Sequence, residues 1–522
     1  MIDGRSSGAK PAPDYPIHAV SSRNVQLSDL FWSPRLETNR AVTIPLSFQM
    51  CEETGRIENF KVAAGLSSAK WTGMFGFNDS DVYKVVQGAA DSLAAHPDAR
   101  LHDYLNRLIA WINAAQEKDG YLYTEWTAHD RVAQPSPIRC CVPNPDKKWF
   151  NEKDSHELYN AGHMIEAAIS HWEATGSDSL LKVAKKNADL LVETFGPGKL
   201  EIPSGHPEVE LALVKLYRAT NDERYLRLAK FLIDIRGRPT KDRRQPWGTY
   251  MQDNAPLVEQ QKAVGHAVRA MYLYSAATDV AALTGDSKLG NAVDRIWENV
   301  VGQKTYVTGA IGATAAGEAF GADYELPNDK AYAETCANLA TCFWNYRMFL
   351  RHGDAKYIDL LERALYNSAI SGVALDGKSF FYPNPLASTG NYARSKWFDC
   401  ACCPTNVCRF IPSIPGYVYA TQDDTVFVNL FAAGSVDINL PGGKLRVQQA
   451  TNYPWDGHVQ ITLSTQHADQ HAVFKIRIPG WARGEAFVSD LYRFVGNSTE
   501  QYKISLNDAA VTTQLENGFA TI

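Results

Sequence analysis

The chain has 522 residues, a formal net charge of -6 at pH 7 and 45% hydrophobic residues. This length allows two or more domains with sizeable cores. The charge is not basic enough for a nucleic-acid-binding protein, and no run of eighteen apolar residues is present that could cross a membrane. The 12 Trp and 24 Tyr suit a carbohydrate site, although large helical cores also hold many aromatic residues.

The first segment is polar, rich in Gly, Ser and Pro, and lacks the apolar stretch of a signal peptide. We therefore expect a flexible tail over residues 1–20. The protein is expected in the cytoplasm or the periplasm, since a processed export signal is compatible with this sequence. Residues 25–31 then predict a short strand or lead-in, and the helical pattern begins at Trp32.

One pattern repeats between residues 21 and 421: an apolar-periodic helix, a short polar turn and a second amphipathic helix. The turns lie at residues 95–98, 175–178, 220–222, 284–286 and 352–354. Gly or Asn ends the first helix of most pairs, and Asp or Ser starts the second. Five or six such hairpins stack as an open solenoid or close into a ring. Long loops carrying His, Trp and Glu favour a closed α/α toroid with a site at one mouth.

Beyond residue 422 the apolar residues alternate with period two, which predicts strands. Four such stretches lie at residues 425–430, 436–440, 459–463 and 474–478. They predict a C-terminal β-sandwich over residues 422–522. The strand pattern is unfinished at Ile522, so we expect the sandwich to be incomplete in this chain.

Four of the nine cysteines fall within residues 400–408. Adjacent cysteines make a poor intrachain disulfide but good ligands for a thiophilic metal. Glu334, Cys336, Cys402 and Cys403 together offer a carboxylate and three thiolates, which suit a tetrahedral Zn²⁺. The spacing is not that of a zinc finger, and buried reduced cysteines in a core are the alternative.

The local sequence predicts how these ligands are presented. Glu334 and Cys336 diverge by about 200° on a helix and are therefore placed at a helix start. Cys342 falls on the helix proper and is assigned to packing, as are Cys400 and Cys408. Pro404 is expected to hold Cys403 extended, so that a helix follows with its N-cap at residue 405 or 406.

Three histidines, His156, His206 and His266, each precede or open an apolar helix of the repeat. They could all point into the mouth of a ring and contact a substrate, or each could be a satisfied structural residue. Glu318 lies in a glycine-rich loop, residues 308–321, that lacks the spacing of a phosphate-binding loop. It is either part of a solvated acidic loop or a general acid whose pKa is raised by burial near other carboxylates.

Taken together, these residues resemble glycoside hydrolase family 127, the β-L-arabinofuranosidases, and the related family 146. The resemblance is carried by the sequences HELY at 156–159, GEAFG at 317–321, DYELPN at 323–328, ETC at 334–336 and CCP at 402–404. It implies an (α/α)6 barrel followed by a β-sandwich. Thr405 departs from the family, which often has a second proline there.

The resemblance also implies roles for individual residues. Glu334, Cys336, Cys402 and Cys403 would hold zinc, and Cys402 would be the nucleophile. Glu318 would be the acid/base. The three histidines named above would contact the sugar.

The implied function is a retaining exo-glycosidase that releases β-L-arabinofuranose, or a closely related sugar, from plant-type glycans. Its partner would be a carbohydrate rather than nucleic acid or membrane, and a homodimer is compatible with the sequence. Two other functions stay open: a non-catalytic glycan-binding toroid with structural zinc, and a uronate-acting hydrolase or lyase of the α/α-barrel type. The uronate-acting enzymes need a basic mouth, and Lys and Arg are sparse in these loops.

Overall fold

The computed structural model describes residues 13–128, 147–465, 471–496 and 502–522. Most of the predicted tail, residues 1–12, lies outside the described part. From residue 13 the chain is packed, because Tyr15 and Ile17 are buried and His18–Ala19 pairs with a C-terminal strand. The prediction of a flexible tail is therefore wrong for residues 13–20, whose apolar side chains enter the core.

Helices account for most of the described chain up to residue 410. They are α1 (Trp32–Thr38), α2 (Ile44–Glu53), α3 (Arg56–Ala63), α4 (Asn78–Ala95), α5 (Ala99–Ala115), α6 (Thr124–Thr127), α7 (Glu157–Thr175), α8 (Ser179–Thr194), α9 (Val209–Thr220), α10 (Glu223–Asp234), α11 (Ala267–Thr284), α12 (Ser287–Gln303), α13 (Thr335–His352), α14 (Ala355–Ala364) and α15 (Cys402–Phe410). Among the described residues, none of these helices combines the length and apolar content that a membrane span requires.

Six helices form a closed inner ring. In order, α4, α7, α9, α11, α13 and α15 each pack on the next, and α15 packs back on α4. The inner helices are buried on nearly every face, whereas α10, α12 and α14 each bury a single apolar stripe against the ring. Together with α2, α5 and α8, these helices make the outer layer. The predicted (α/α)6 barrel is confirmed.

The predicted turns connect the two layers. Gly176, Gly285 and Asn221 end inner helices with positive φ angles of 73°, 66° and 56°. Asp222 and Asp354 start outer helices, and each side chain accepts a hydrogen bond from the backbone N–H two residues further on. The polar turns of the sequence thus act as the helix caps that their residue types predicted.

The strands form two larger sheets and a hairpin. They are β1 (His18–Ala19), β2 (Val25–Leu27), β3 (Tyr419–Gln422), β4 (Thr425–Val428), β5 (Gly434–Leu440), β6 (Gly443–Thr451), β7 (Val459–Thr465), β8 (Val473–Arg477), β9 (Ile504–Leu506), β10 (Ala509–Val511), β11 (Leu515–Glu516) and β12 (Phe519–Thr521). The sheet orders are β1-β3-β4-β8-β12-β11 and β2-β5-β6-β7, with β9 and β10 as the hairpin. The predicted β-sandwich is present, but β1 and β2 from the N-terminal segment form one edge of each sheet, and β3 begins three residues before the expected boundary.

A buried arginine joins the sandwich to the barrel. Arg477, at the end of β8, is fully buried and forms ion pairs with Asp359 and Glu362 of α14. Its Nε also donates to the backbone oxygen of Asn429 at 2.5 Å. The guanidinium thus neutralises two carboxylates that are at most 10% exposed.

We expect Arg477→Met to lower the free energy of unfolding by about 3–5 kcal/mol, because buried Glu362 loses its cationic partner and keeps, within the described part of the chain, only the hydroxyl of Tyr453. Asp359 keeps its ion pair with Arg483.

The matched control is Lys475→Met on the same strand, which removes a surface pair with Glu516 and a 5.7 Å approach to the Phe427 ring. It should cost less than about 1 kcal/mol. Chemical denaturation of both variants measures the difference. Similar losses for the two variants would show that Arg477 does not hold the sandwich on the barrel.

Candidate active site

A cavity of about 1060 Å³ opens at the end of the ring where the inner helices begin. The N-cap residues of α7, α11 and α13 are His156, His266 and Glu334, and all three line it. Since the inner helices run in parallel, their first residues meet at one mouth. The cavity also takes its walls from His206, Glu318, Cys336 and Cys402.

The four predicted metal ligands form one cluster. One donor atom from each of Glu334, Cys336, Cys402 and Cys403 lies within 4.8 Å of all the others. The sulfur of Cys403 is 3.4 Å from that of Cys336 and 3.9 Å from that of Cys402. Two thiolates on a tetrahedral zinc are about 3.8 Å apart, so the cluster has the dimensions of such a site.

The buried acidic groups of this cluster would be stabilised by a cation. Burial and the neighbouring charges of Glu318 and Cys402 raise the pKa of Glu334 well above its usual range. Burial and the adjacent sulfurs likewise raise the pKa of Cys403. The Oε2 atom of Glu334 is buried and has no hydrogen-bond partner among the described residues. A bound metal ion would stabilise the ionised forms of Glu334 and Cys403 and would give the Oε2 atom a partner. The donor set therefore fits a metal ion.

The cysteine pair stands on the first turn of a helix rather than before it. Helix α15 begins at Cys402 with Ala401 as its N-cap, so the prediction that Cys403 is extended is wrong, as is the predicted N-cap at residue 405 or 406. Pro404 is tolerated because the first N–H groups of a helix have no partner within it. The hydroxyl of Thr405 instead donates to the carbonyl of Ala401 at 2.9 Å. The positive end of α15 therefore faces both thiols.

The remaining cysteines of the region divide into two groups. Cys342 and Cys408 are fully buried, as expected for packing residues. Cys400 lines the cavity, with its sulfur 3.8 Å from that of Cys402, so its assignment to packing is wrong. Cys400 reaches the same cavity because it lies two residues before Cys402, where the chain turns into α15.

The three histidines lie around the cavity in neutral form, because burial lowers their pKa values. The Nδ1 atom of His266 accepts the backbone N–H of Val268 at 3.2 Å, so its proton is on Nε2, which faces Glu318 at 2.9 Å. His156 and His206 have the opposite tautomer. Their Nδ1 atoms donate to the backbone oxygens of residues 154 and 207, which leaves Nε2 as an acceptor.

Glu318 is held by two hydrogen-bond donors. The hydroxyl of Tyr332 donates to one carboxylate oxygen at 2.7 Å, and His266 donates to the other. Burial raises the pKa of Glu318, but the hydrogen bonds and nearby positive charge, including that of Arg269, outweigh it and the pKa is lowered. The expectation of a raised pKa is therefore wrong. The neighbouring Asp323 is engaged elsewhere, by Lys262 and Lys304.

Three further residues complete the site and were not predicted. The hydroxyl of Tyr382 lies 3.0 Å from the sulfur of Cys402, and Tyr332 holds Glu318. Arg269 donates to the carbonyl of Gly205 at 2.6 Å and approaches His156. Only Tyr332 had a sequence signal, because it lies two residues before Glu334 in a stretch that precedes the helix. Tyr382 comes from a distant loop without periodicity.

The site thus presents a thiol and a carboxylate in one water-accessible cavity. The donor atoms of Glu318, His266 and Glu334 lie within 4.8 Å of one another, and Glu334 lies 3.9 Å from the sulfur of Cys402. Glu318 can exchange a proton with a ligand, and Cys402 can form a covalent bond to it.

Known proteins share both the sequence and the fold. Residues 24–416 match the model of the β-L-arabinofuranosidase GH127 catalytic domain, and residues 425–522 match that of the GH127 middle domain. The chain is 38% identical to the non-reducing end β-L-arabinofuranosidase of Bifidobacterium longum subsp. longum over 496 residues, which cover 89% of this chain and 71% of the relative.

Two solved structures extend the comparison. A GH127 β-arabinofuranosidase is 47% identical with a TM-score of 0.91, covering 98% of this chain and 78% of its own. A GH127 β-L-arabinofuranosidase from Geobacillus stearothermophilus T6 is 38% identical with a TM-score of 0.87, covering 96% of this chain and 79% of its own. The chain belongs to glycoside hydrolase family 127.

Proposed function

We propose that this glycoside hydrolase is a retaining exo-enzyme that releases terminal β-L-arabinofuranose from a neutral glycan. The observation that carries the proposal is the presence of Cys402 and Glu318 in a single cavity whose size suits a sugar. Similarity to enzymes described as β-L-arabinofuranosidases supports the choice of sugar. The natural glycan is proposed to be of plant type.

The metal of this site is proposed to be Zn²⁺, held by Glu334, Cys336, Cys402 and Cys403. Three sulfurs and one carboxylate oxygen suit this ion better than they suit Mg²⁺ or Ca²⁺, which prefer oxygen ligands. When bound, zinc would keep a coordinating thiol deprotonated at neutral pH. Cys336 and Cys403 would hold the ion without reacting.

The proposed reaction has two displacement steps. In the first, the sulfur of Cys402 attacks the anomeric carbon and the bond to the leaving oxygen breaks. Glu318, in its protonated form, gives its proton to that oxygen. In the second, Glu318 as carboxylate takes a proton from water, whose oxygen displaces Cys402 and retains the anomeric configuration. The hydrogen bonds from Tyr332 and His266 favour the carboxylate that the second step needs.

The histidines are proposed to orient the sugar. The Nε2 atom of His206 can accept a hydrogen bond from a furanose hydroxyl. That of His156 lies 3.4 Å from the Arg269 guanidinium, so a sugar hydroxyl would have to replace this donor. The proton on Nε2 of His266 is shared with Glu318. Because burial keeps the three rings neutral, these contacts with the sugar should not change with pH near neutrality.

The charges of the cavity argue against a uronate substrate. Asp154, Asp399, Glu318 and Glu334 all line it, whereas Arg269 is the one arginine or lysine in its lining among the described residues. That guanidinium already contacts the carbonyl of Gly205. A carboxylated sugar would therefore meet like charges, which favours a neutral substrate over the uronate-acting alternative.

We expect protein purified without added metal to contain about one zinc per chain. Cys336→Ser should lose most of it, because the variant lacks one of three thiolates. Cys342→Ser is the matched control, since this buried cysteine lies on the same helix outside the cluster. Elemental analysis measures both, and a metal-free preparation with full activity would contradict the site and the mechanism.

We expect Glu318→Gln to slow aryl β-L-arabinofuranosides with poor leaving groups by about 10²–10⁴-fold. Substrates with good leaving groups should lose far less in the first step, because their oxygen leaves without protonation. The kcat/KM values over a series of phenols measure this contrast. Equal losses across the series would remove Glu318 from the acid role.

We expect a mechanism-based arabinofuranosyl inactivator to label Cys402 and not Cys403. Helix α15 presents both thiols from one turn, but Cys402 lines the cavity whereas Cys403 is fully buried. Cys402→Ser should lose nearly all turnover, because a hydroxyl is a far weaker nucleophile at neutral pH.

Peptide mass spectrometry locates the label, and the zinc content of Cys402→Ser must be measured in the same preparation, since metal loss also abolishes turnover. An adduct on Cys403 or on a carboxylate would overturn the assignment.

A further inference from the structure

One aromatic side chain of the cavity has no part in the proposed chemistry. Tyr250 belongs to a single helical turn, Thr249–Met251, in the long connection between α10 and α11. Its side chain lines the cavity and is 40% exposed, whereas His156, His206 and His266 are each less than 9% exposed. Tyr250 therefore stands at the open rim, above the buried part of the site.

The backbone of Tyr250 is fixed to the histidine that contacts Glu318. The N–H of His266 donates to the carbonyl of Tyr250 at 3.1 Å. Gly265 has a φ of +71°, and a Cβ atom there would lie 2.0 Å from the carbonyl oxygen of Thr249. Only glycine allows this approach, so the two segments are held in close contact.

The ring of Tyr250 is also held from several sides. The guanidinium carbon of Arg269 lies 4.8 Å from the ring centroid, and the His266 ring meets it edge-on at 5.7 Å. Gly317, next to Glu318, would place a Cβ atom 3.3 Å from the Tyr250 ring. The ring thus packs against the segment that carries Glu318, and its remaining exposed surface faces the cavity.

The position of Glu318 defines where a leaving group must lie. A general acid gives its proton to the oxygen that joins the released sugar to the rest of the glycan. The rest of the glycan therefore extends past Glu318 toward the rim, where Tyr250 stands. Flat aromatic rings pack well on the C–H faces of sugars. Because the Tyr250 ring is already held in place, binding a sugar there would cost little side-chain entropy.

We propose that Tyr250 forms the binding surface for the leaving sugar unit, the one to which the released arabinofuranose is attached. The unit is a neutral sugar, because a carboxylated one would lie against Glu318 and Asp154, while Arg269 is engaged by Gly205. This inference rests on the proposed function and adds a substrate-binding residue to it.

The test compares two substrates with the full chain. Methyl β-L-arabinofuranoside and a β-L-arabinofuranosyl disaccharide both have poor leaving groups that need the proton of Glu318. The ratio of their kcat/KM values, disaccharide over methyl glycoside, therefore isolates the contribution of the second sugar. Tyr250→Ala should lower this ratio about five- to tenfold.

Two further variants serve as controls. Tyr250→Phe keeps the ring and should keep the ratio within about twofold. Tyr502→Ala removes a tyrosine of similar exposure, 39%, from the C-terminal region and should leave the ratio unchanged. Thermal unfolding of each variant shows that the fold is retained.

An unchanged ratio in Tyr250→Ala would overturn the proposal. Equal losses on both substrates would also overturn it, because they would show that the ring only supports Glu318. A wild-type chain that hydrolysed neither substrate would refute the proposed function, and this inference with it. If the wild-type chain hydrolysed both substrates but Tyr250→Ala left the ratio unchanged, only the proposed role of Tyr250 would be refuted.

Discussion

The site depends on gathering three thiols and one carboxylate at one wall of the cavity, where Glu334, Cys336 and Cys403 are buried. Such a cluster is unfavourable by itself, since each ionised group raises the energy of the others and burial removes their solvation. A doubly charged cation would reverse the balance. The proposed metal would therefore stabilise this wall of the cavity as well as supply chemistry. The four residues of the cluster come from the starts of α13 and α15, two neighbouring inner helices, so the packing of these helices brings the cluster together.

The same end of the ring explains why so many functional groups converge. Parallel inner helices direct their unpaired N–H groups and positive ends toward one mouth. That field favours thiolates and carboxylates, which is the chemistry found there. His156, His266 and Glu334 are all N-cap residues, and Cys402 opens its helix. The first turns of the helices and the loops before them, and not the helix interiors, supply the reactive side chains, which agrees with the role of connecting segments on rigid scaffolds.

Much of this arrangement could be predicted from sequence, and the failures have identifiable causes. The polar turns at Asn221 and Gly285 follow local rules of helix capping, and the apolar periods on either side define the hairpins. The ligand set follows from residue chemistry. The prediction failed at Cys403 because Pro404 lies in the first turn of α15, where its missing N–H is not needed. It failed at Glu318 because Tyr332 and His266 come from other segments and lower the pKa of that carboxyl. Tyr382 reaches the cavity from a distant loop, and no local pattern reports such a contact. Arg269 lies on the first turn of α11, three residues after His266, and its contact with Gly205 depends on tertiary packing.

The two short strands near the N-terminus have a consequence for how the chain is made. Strands β1 and β2 each cover an edge of a sheet whose other strands follow some four hundred residues later. Until the C-terminal region leaves the ribosome, these first strands lack the strands that they pair with in the folded chain. Conversely, a fragment that began after the barrel would expose both sheet edges, and unpaired edges promote aggregation. The β-sandwich is thus not a module that can be removed or transferred without its N-terminal strands.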